Sequence, residues 1–224
     1  MEVDYHYAIL VVKYTKGPTG VQQTTKKQIT AAVAVLKKGG LVAFPTDTVF
    51  GLGALADNVE AIKRIYEVKQ RPASQAMPLL LSSLDEVDSV AMEVSETARR
   101  LMRRFWPGGL TLVVKKAAWL PDVITAGGSS VAIRVPDHPV PLALIRQVGK
   151  PLVGTSANRS GEDSPITVEE VFSQLGGKID MIIDDGTPVL PGESTILDVT
   201  VDPPRIIRQG VVSRSEIEKI TPLA

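Results

Sequence analysis

Residues 67–81 read EVKQRPASQAMPLLL. A helix-forming run meets a proline, a short polar segment follows, and an apolar run opens. Pro72 disfavours helical backbone at the residue before it, so the chain leaves a helix near Lys69. Met77–Leu81 is short, apolar and preceded by turn-forming residues, which marks a buried strand. Helix, break and buried strand in direct succession predict an α/β chain.

The pattern extends in both directions. Asp57-Asn58-Val59-Glu60 has capping-box spacing with Asp57 as the cap, and it opens the helix that ends near Lys69. LVAFP (41–45) is a buried strand. TTKKQITAAVAVLKKGG (24–40) is a helix that Thr24 or Thr25 can cap and Gly39-Gly40 ends. Its apolar stripe is core packing. AILVVKY (8–14) is a short strand followed by a polar loop through Gly17, Pro18 and Gly20. Downstream, SETARRLMRRF (95–105) is a helix that stops at Trp106-Pro107-Gly108-Gly109. LTLVVKK (110–116), SVAIRVP (130–136) and PLVGTS (151–156) are strands, with HPVPLALIRQVG (138–149) a helix between the last two. TVEEVFSQLGG (167–177) is a helix. IDMIID (179–184), STILDV (194–199) and RIIRQ (205–209) are late strands, and SRSEIEKI (213–220) is a closing helix. Strands alternate with helices early and cluster late, which predicts an α/β fold with a mixed sheet. There is no internal repeat, low-complexity tract or clear linker, so the chain 1–224 reads as one domain.

Composition narrows the function classes. The chain has 224 residues, 44% hydrophobic and 22% charged, the profile of a soluble globular protein with a sizeable core. Twenty-five basic residues balance 25 acidic ones, which argues against a protein that coats nucleic acid nonspecifically and leaves room for a local basic pocket. The absence of cysteine excludes disulfides, zinc–thiolate sites, iron–sulfur clusters and thiol nucleophiles. Two histidines, His6 and His138, are too few for a histidine metal cage. No G-x-S-x-G elbow accompanies them. The early apolar run Ala8–Val12 is too short for a signal region or a membrane span, so the expected location is cytoplasmic with no membrane contact.

Four segments carry candidate chemistry. Run extended, Lys69-Gln70-Arg71 projects both cations to one side, an arrangement that suits a polyphosphate. Taken alone, the segment favours the plainer reading, in which Lys69 caps the helix C-terminus and Arg71 is solvated. GTSANRSGEDSP (154–165) ends a strand with Ser156 and Asn158 two apart, either on one ligand-facing side or within ordinary turn chemistry. Arg134 sits in a strand of Val, Ala and Ile and needs a carboxylate or a ligand anion. Ser194 opens one late strand as a site or turn hydroxyl, and Arg208 ends another as a site or surface-edge residue. His138, before Pro139 at a helix start, reads as structural. Neither G-x-x-x-x-G-K-[ST] nor G-x-G-x-x-G is present, so bound phosphates would need cationic side chains and loop amides.

In chain order, PTDTVFGLGA, KQRP, the Pro-Leu strand, FWPGGLTLVV, SVAIRVPDHP, GTSANRSGEDSP, ESTILD and IIRQG resemble the YrdC-like threonylcarbamoyl-AMP synthase family, from about Ile29 to Ser213. The resemblance implies a twisted mixed α/β sheet flanked by helices around a deep, positively charged cleft. It implies an enzyme, a nucleotidyltransferase, that joins L-threonine, bicarbonate or CO2 and ATP with Mg2+ into threonylcarbamoyl-AMP and pyrophosphate. A downstream transferase complex would then modify tRNA. By position, Lys69 and Arg71 would hold the ATP phosphates and act in catalysis, with Ser130, Asn158 and Arg208 also at the nucleotide. Thr46, Arg134, Ser156 and Ser194 would contact L-threonine, Arg134 through the carboxylate. No protein metal site is implied. The chain resembles the short, single-domain form. Many relatives carry Gly where this chain has Gln70, and a histidine at the end of the Pro-Leu strand where it reads MPLLLSS.

Three other readings share some of these features. A same-fold paralogue would hydrolyse or bind the adenylate. An RNA-binding module would grip RNA weakly in the cationic cleft, although neutral net charge and 4% aromatics disfavour it. The carbamoyl-transfer module of hydrogenase maturation carries cysteine-rich zinc segments that this chain lacks.

Overall fold

The computed structural model of the chain describes residues 10, 11, 23–185, 190 and 192–224. In chain order its elements are β1 (Leu10–Val11), α1 (Gln23–Lys37), β2 (Val42–Pro45), β3 (Phe50–Leu55) and α2 (Val59–Lys69). Next come β4 (Leu79–Leu80), α3 (Val87–Val90), β5 (Ala91–Met92), α4 (Glu96–Phe105) and β6 (Leu110–Lys116). Then follow α5 (Asp122–Thr125), β7 (Ser130–Arg134), α6 (Pro139–Val148), β8 (Leu152–Ser156) and α7 (Val168–Leu175). The last are β9 (Met181–Ile182), β10 (Thr195–Asp198), β11 (Arg205–Arg208) and α8 (Arg214–Glu218).

Among the described residues the strands form one sheet in the order β1-β9-β2-β3-β8-β4-β7-β6-β10-β11, with β5 beside β6. β2 pairs parallel to β9, β4 to β7 and β6 to β10; the β2–β3, β3–β8 and β6–β7 pairs are antiparallel. The expected mixed sheet is therefore present, with helices on both faces. Alternation along β2 shows how. Val42 and Phe44 pack with Ile29, Ala32 and Leu36 of α1 and Val140, Leu144 and Ile145 of α6. Leu41 and Ala43 face the opposite core, with Ile62 and Ile65 of α2 and Leu101 of α4. Period-2 strands clothed by period-3.6 helices give a three-layer molecule.

Several local expectations change. The cap of α2 is Asn58, whose Oδ1 accepts from Ala61 N at 3.0 Å; Asp57 instead pairs with Lys150 on the surface. Asparagine is as good a cap as aspartate, and the register of the apolar face, Ala61, Ile62, Ile65 and Tyr66, selects the later start. α1 is already helical at Gln23, so Thr24 and Thr25 fall inside its first turn. The strand expected at 8–14 is described only at Leu10–Val11; the rest of it, with His6 and the loop through Gly17, Pro18 and Gly20, lies outside the described residues. The Met77–Leu81 strand shortens to Leu79–Leu80. β3 is a buried strand that the sequence reading does not place, because Gly51 and Gly53 read as loop. A Cβ at Gly53 would sit 2.8 Å from the Phe44 ring, so the glycines make room for that side chain across the β2–β3 pair. No helix among the described residues is long and apolar enough to cross a membrane.

Candidate active site

A cavity of about 420 Å³ opens where the β2–β3 loop, the end of α2, the loop after β8 and the start of β10 converge. Strand ends meeting at such a crevice are the usual ligand position in α/β sheets. Eight of the nine residues singled out by sequence line it: Thr46, Lys69, Arg71, Arg134, Ser156, Asn158, Ser194 and Arg208. Ser130 does not. It starts β7, opposite Lys115, while Ala132 and Arg134 of the same strand face the cavity. Four residues of extended chain put Ser130 about 13 Å from Arg134 along the strand.

Lys69 and Arg71 reach the cavity by a different route from the one their spacing suggests. Gln70 is not extended but left-handed, at φ 51° and ψ 39°, because its N–H still closes the last turn of α2 on Tyr66 and Glu67. Lys69 thus ends the helix and is 1% exposed. Its Nζ donates to Ser156 O at 2.5 Å, Asn158 O at 2.6 Å and Asn158 Oδ1 at 3.2 Å. An ammonium has three N–H donors, so all three are engaged within the protein. Its carbonyl accepts from Ser160 N at 2.8 Å. Lys69 therefore staples the loop after β8 to the end of α2. Burial, reinforced by the charge of Arg71, lowers its pKa to about 7; Glu193 works in the opposite direction.

Asn158 is the matching half of this buckle. Its Nδ2 donates to Arg159 O and Glu162 O, and its Oδ1 accepts from Lys69 and from Ser156 Oγ at 2.5 Å. Ser156 and Asn158 lie on one side, as their spacing suggests, with their polar atoms turned first on each other.

Arg134 is buried at the far wall. Nη2 donates to Asp47 Oδ1 at 2.6 Å, Nη1 to Thr48 Oγ1 at 3.0 Å and Nε to Gly108 O at 2.8 Å. The carboxylate that the in-strand arginine requires is Asp47, from the loop after β2. Asp47 Oδ1 also accepts from Asp137 N, while its buried Oδ2 has no partner among the described residues. Two of the five guanidinium N–H groups remain without a protein acceptor among the described residues. Thr46 turns out to be a turn-former. Its hydroxyl donates to Val49 O at 2.7 Å and accepts from the Thr48 and Val49 amides, which leaves no proton for a ligand. Thr46 nonetheless lines the cavity. His138 caps α6, with Nδ1 accepting from Val140 N, and is structural as expected.

On the near wall Arg208 pairs with Glu193, and its Nη2 donates to Ser194 O at 2.8 Å and to Ser194 Oγ at 3.3 Å. Arg71 hangs over the mouth. It donates to Gln75 O through Nε and to Ala76 O through Nη2, and its Nη1 has no hydrogen-bond acceptor among the described residues. Burial lowers its pKa, and the nearby Arg208 adds to the effect against the counter-pull of Tyr66.

Sequence reasoning missed Asp47, Thr48, Thr111 and Glu193. Asp47 and Thr48 stand inside the quoted PTDT, and the partner demanded by Arg134 was the available signal for them. Thr111 and Glu193 gave none, since one is a strand threonine and the other a surface-type glutamate before Ser194. The finished site has four cations facing one lining carboxylate, and the N–H groups of Arg71 and Arg134 have capacity left for oxygen anions. Among the described residues no group of His, Asp or Glu side chains could hold a metal ion.

Comparisons with known proteins agree with this geometry. The Sua5/YciO/YrdC family model, described as telomere recombination, matches residues 34–210. The threonylcarbamoyl-AMP synthase of Bacillus subtilis is 42% identical over 198 residues, which cover 88% of this chain and 57% of that protein. The threonylcarbamoyl-AMP synthase of Vibrio vulnificus is 38% identical over 180 residues, 80% of this chain and 96% of that protein. The crystal structure of Pyrococcus abyssi Sua5 complexed with L-threonine superposes with a TM-score of 0.85 at 42% identity, covering 88% of this chain and 58% of that one. The chain thus spans a little over half the length of the B. subtilis and P. abyssi relatives.

Proposed function

The chain belongs to the Sua5/YciO/YrdC family, and from that premise we propose that it is an L-threonylcarbamoyladenylate synthase. It condenses L-threonine, bicarbonate or CO2 and ATP into threonylcarbamoyl-AMP and pyrophosphate. The observation that carries the reading is the single cavity into which Lys69, Arg71, Arg134 and Arg208 converge, in a chain 42% identical to a protein solved with L-threonine bound. A site with two separate cationic walls suits two anionic substrates, an amino-acid carboxylate and a triphosphate.

The chemistry needs no side-chain nucleophile. The threonine amine adds to CO2, or to bicarbonate with loss of water, and gives a carbamate. A carbamate oxygen then attacks the α-phosphorus, and pyrophosphate leaves. Negative charge grows on the α-phosphoryl oxygens and on the leaving group, where fixed cations lower the barrier most. Arg71 is the nucleotide clamp, because it stands at the mouth with N–H groups in hand. Lys69 acts behind it: its ammonium holds the Ser156–Ser160 loop in place and adds charge to the field. Arg134, locked by Asp47, presents its remaining N–H groups to the threonine carboxylate. Ser194 and Ser156 complete the threonine side, and Asn158 and Arg208 border the nucleotide. Ser130, on the same face of β7 as the lining residues Ala132 and Arg134, is proposed as a nucleotide contact beyond that lining. Mg2+ enters on the nucleotide as part of the substrate, since the lining offers only Glu193, and that carboxylate is already held by Arg208 and Ser164. The product is an activated carbamoyl donor, and an acceptor amine on tRNA, reached through a separate transferase, is its proposed destination.

Incubation with 13C-bicarbonate, ATP, Mg2+ and L-threonine tests the reading. Mass spectrometry should show an adenylate one mass unit heavier than the unlabelled product. Its absence, with supplied threonylcarbamoyl-AMP broken down instead, would point to the hydrolytic paralogue.

A further inference from the structure

We propose that Thr111 is a positioning residue that aims the Ser194 hydroxyl at the amino-acid substrate. The proposal rests on the synthase reading and adds a part to it.

Thr111 lies on β6, 2% exposed, on the face that lines the cavity. β6 runs parallel to β10 with Thr111 opposite Ile196, and Thr195 N donates to Gly109 O at 3.0 Å. The start of β10, where Ser194 sits, is therefore pinned to β6. Within that frame Thr111 Oγ1 donates to Ser194 Oγ at 3.0 Å, and Arg208 Nη2 donates to the same oxygen at 3.3 Å. A serine hydroxyl has two lone pairs and one proton. Both lone pairs are occupied. The proton has no acceptor among the described residues, although Ser194 is only 8% exposed. A buried donor without an acceptor is costly, and the open direction is the cavity.

 The two donors from Thr111 and Arg208 thus fix the rotor, and the Ser194 O–H is held ready for an oxygen of bound L-threonine. A valine at 111 would keep the shape and β-propensity of the position and remove the aiming donor.

Steady-state kinetics of the full chain, with L-threonine and ATP varied separately, provide the test. T111V should raise the threonine KM roughly 3- to 10-fold, the worth of one neutral hydrogen bond, with kcat and the ATP KM within about twofold of wild type. T111S keeps the donor and should stay within about twofold on every parameter. S194A should reproduce the T111V loss, and the T111V/S194A double variant should lose no more than the worse single one, because the two residues act as one unit. An unchanged threonine KM in T111V, no rescue by T111S, or losses that multiply in the double variant would each overturn the assignment. If T111V does not fold, S194A decides: an unchanged threonine KM there overturns it as well. An active wild type with an indifferent T111V removes this proposal alone. A wild type that releases no pyrophosphate removes the synthase reading and this proposal with it.

Discussion

Nη2 of Arg134 donates to Oδ1 of Asp47 at 2.6 Å, and both side chains are buried. The pair joins the loop after β2 to the end of β7 and sets the direction of the guanidinium. Removing one member leaves the other as an uncompensated buried charge, which typically costs about 3–5 kcal/mol. Asp47→Ala should therefore lower the melting temperature by roughly 6–20 °C in a chain of this size. Asp47→Asn, which retains an acceptor oxygen, should lose less. Thermal unfolding followed by circular dichroism reads both; a melting temperature within about 2 °C of wild type for Asp47→Ala would show that the pair does not hold the wall together.

Lys69 gives stability a pH dependence. Its folded pKa of about 7 lies below the ordinary lysine value of 10.5. Between those values the unfolded chain binds the proton and the folded chain releases it. Stability contributed at this residue therefore rises with pH across that window, and the burial cost of the ammonium is fully present below about pH 7. The difference in unfolding free energy between wild type and Lys69→Met should grow with pH above 7, with a slope approaching about 1.4 kcal/mol per pH unit. Urea titrations at several pH values between 6 and about 10 measure it. A difference that stays flat, or falls, contradicts the depressed pKa.

Arg71 should separate nucleotide binding from folding. It is only half-buried, and its two carbonyl contacts are local. Loss of a charge-assisted contact to phosphate is worth about 1.5–3 kcal/mol, so Arg71→Ala should reduce kcat/KM for ATP roughly 10- to 150-fold. The melting temperature should change little. Arg71→Lys should recover part of the rate, because a point charge replaces the fork. An unaltered ATP dependence would move the phosphate clamp to another residue.

Gly210 guards the near wall. A Cβ there would meet Glu193 O at 2.3 Å, Ser194 C at 2.5 Å and Thr195 N at 2.6 Å, all backbone atoms. Gly210→Ala must push β11 from the start of β10 and disturb the contacts between Arg208 and Ser194. A stability loss of about 1–3 kcal/mol is expected, together with weaker use of both substrates. Wild-type kinetics in a folded Gly210→Ala protein would argue that the Arg208–Ser194 contact is dispensable.

How much of this was legible in the sequence depends on the range of the signal. Helices with caps and breakers, such as the one closed by Pro72 and the one begun at Ser95, were readable because their causes lie within a few residues. So were the strands that open at Leu110 and Leu152, each begun by an apolar residue. β3 was not, because its glycines answer to Phe44 on the neighbouring strand and look like loop when read alone. The cationic members of the site were visible as residue types in unusual places. What they bind within the protein was not. Lys69 holds Asn158 across 89 positions of sequence, and Arg134 holds Asp47 across 87. The same-side argument for Lys69 and Arg71 reached the right cavity by the wrong backbone, since Gln70 turns left-handed instead of extending. Ser130 starts β7 outside the lining, on the same strand face as Ala132 and Arg134, which belong to it.

The most direct measurement is pyrophosphate release from ATP in the presence of L-threonine, bicarbonate and Mg2+, repeated with each component left out in turn. A synthase requires all four, and release should fall to background in every omission. Release that persists without L-threonine or without bicarbonate, or no release from the complete mixture, would contradict the proposed activity.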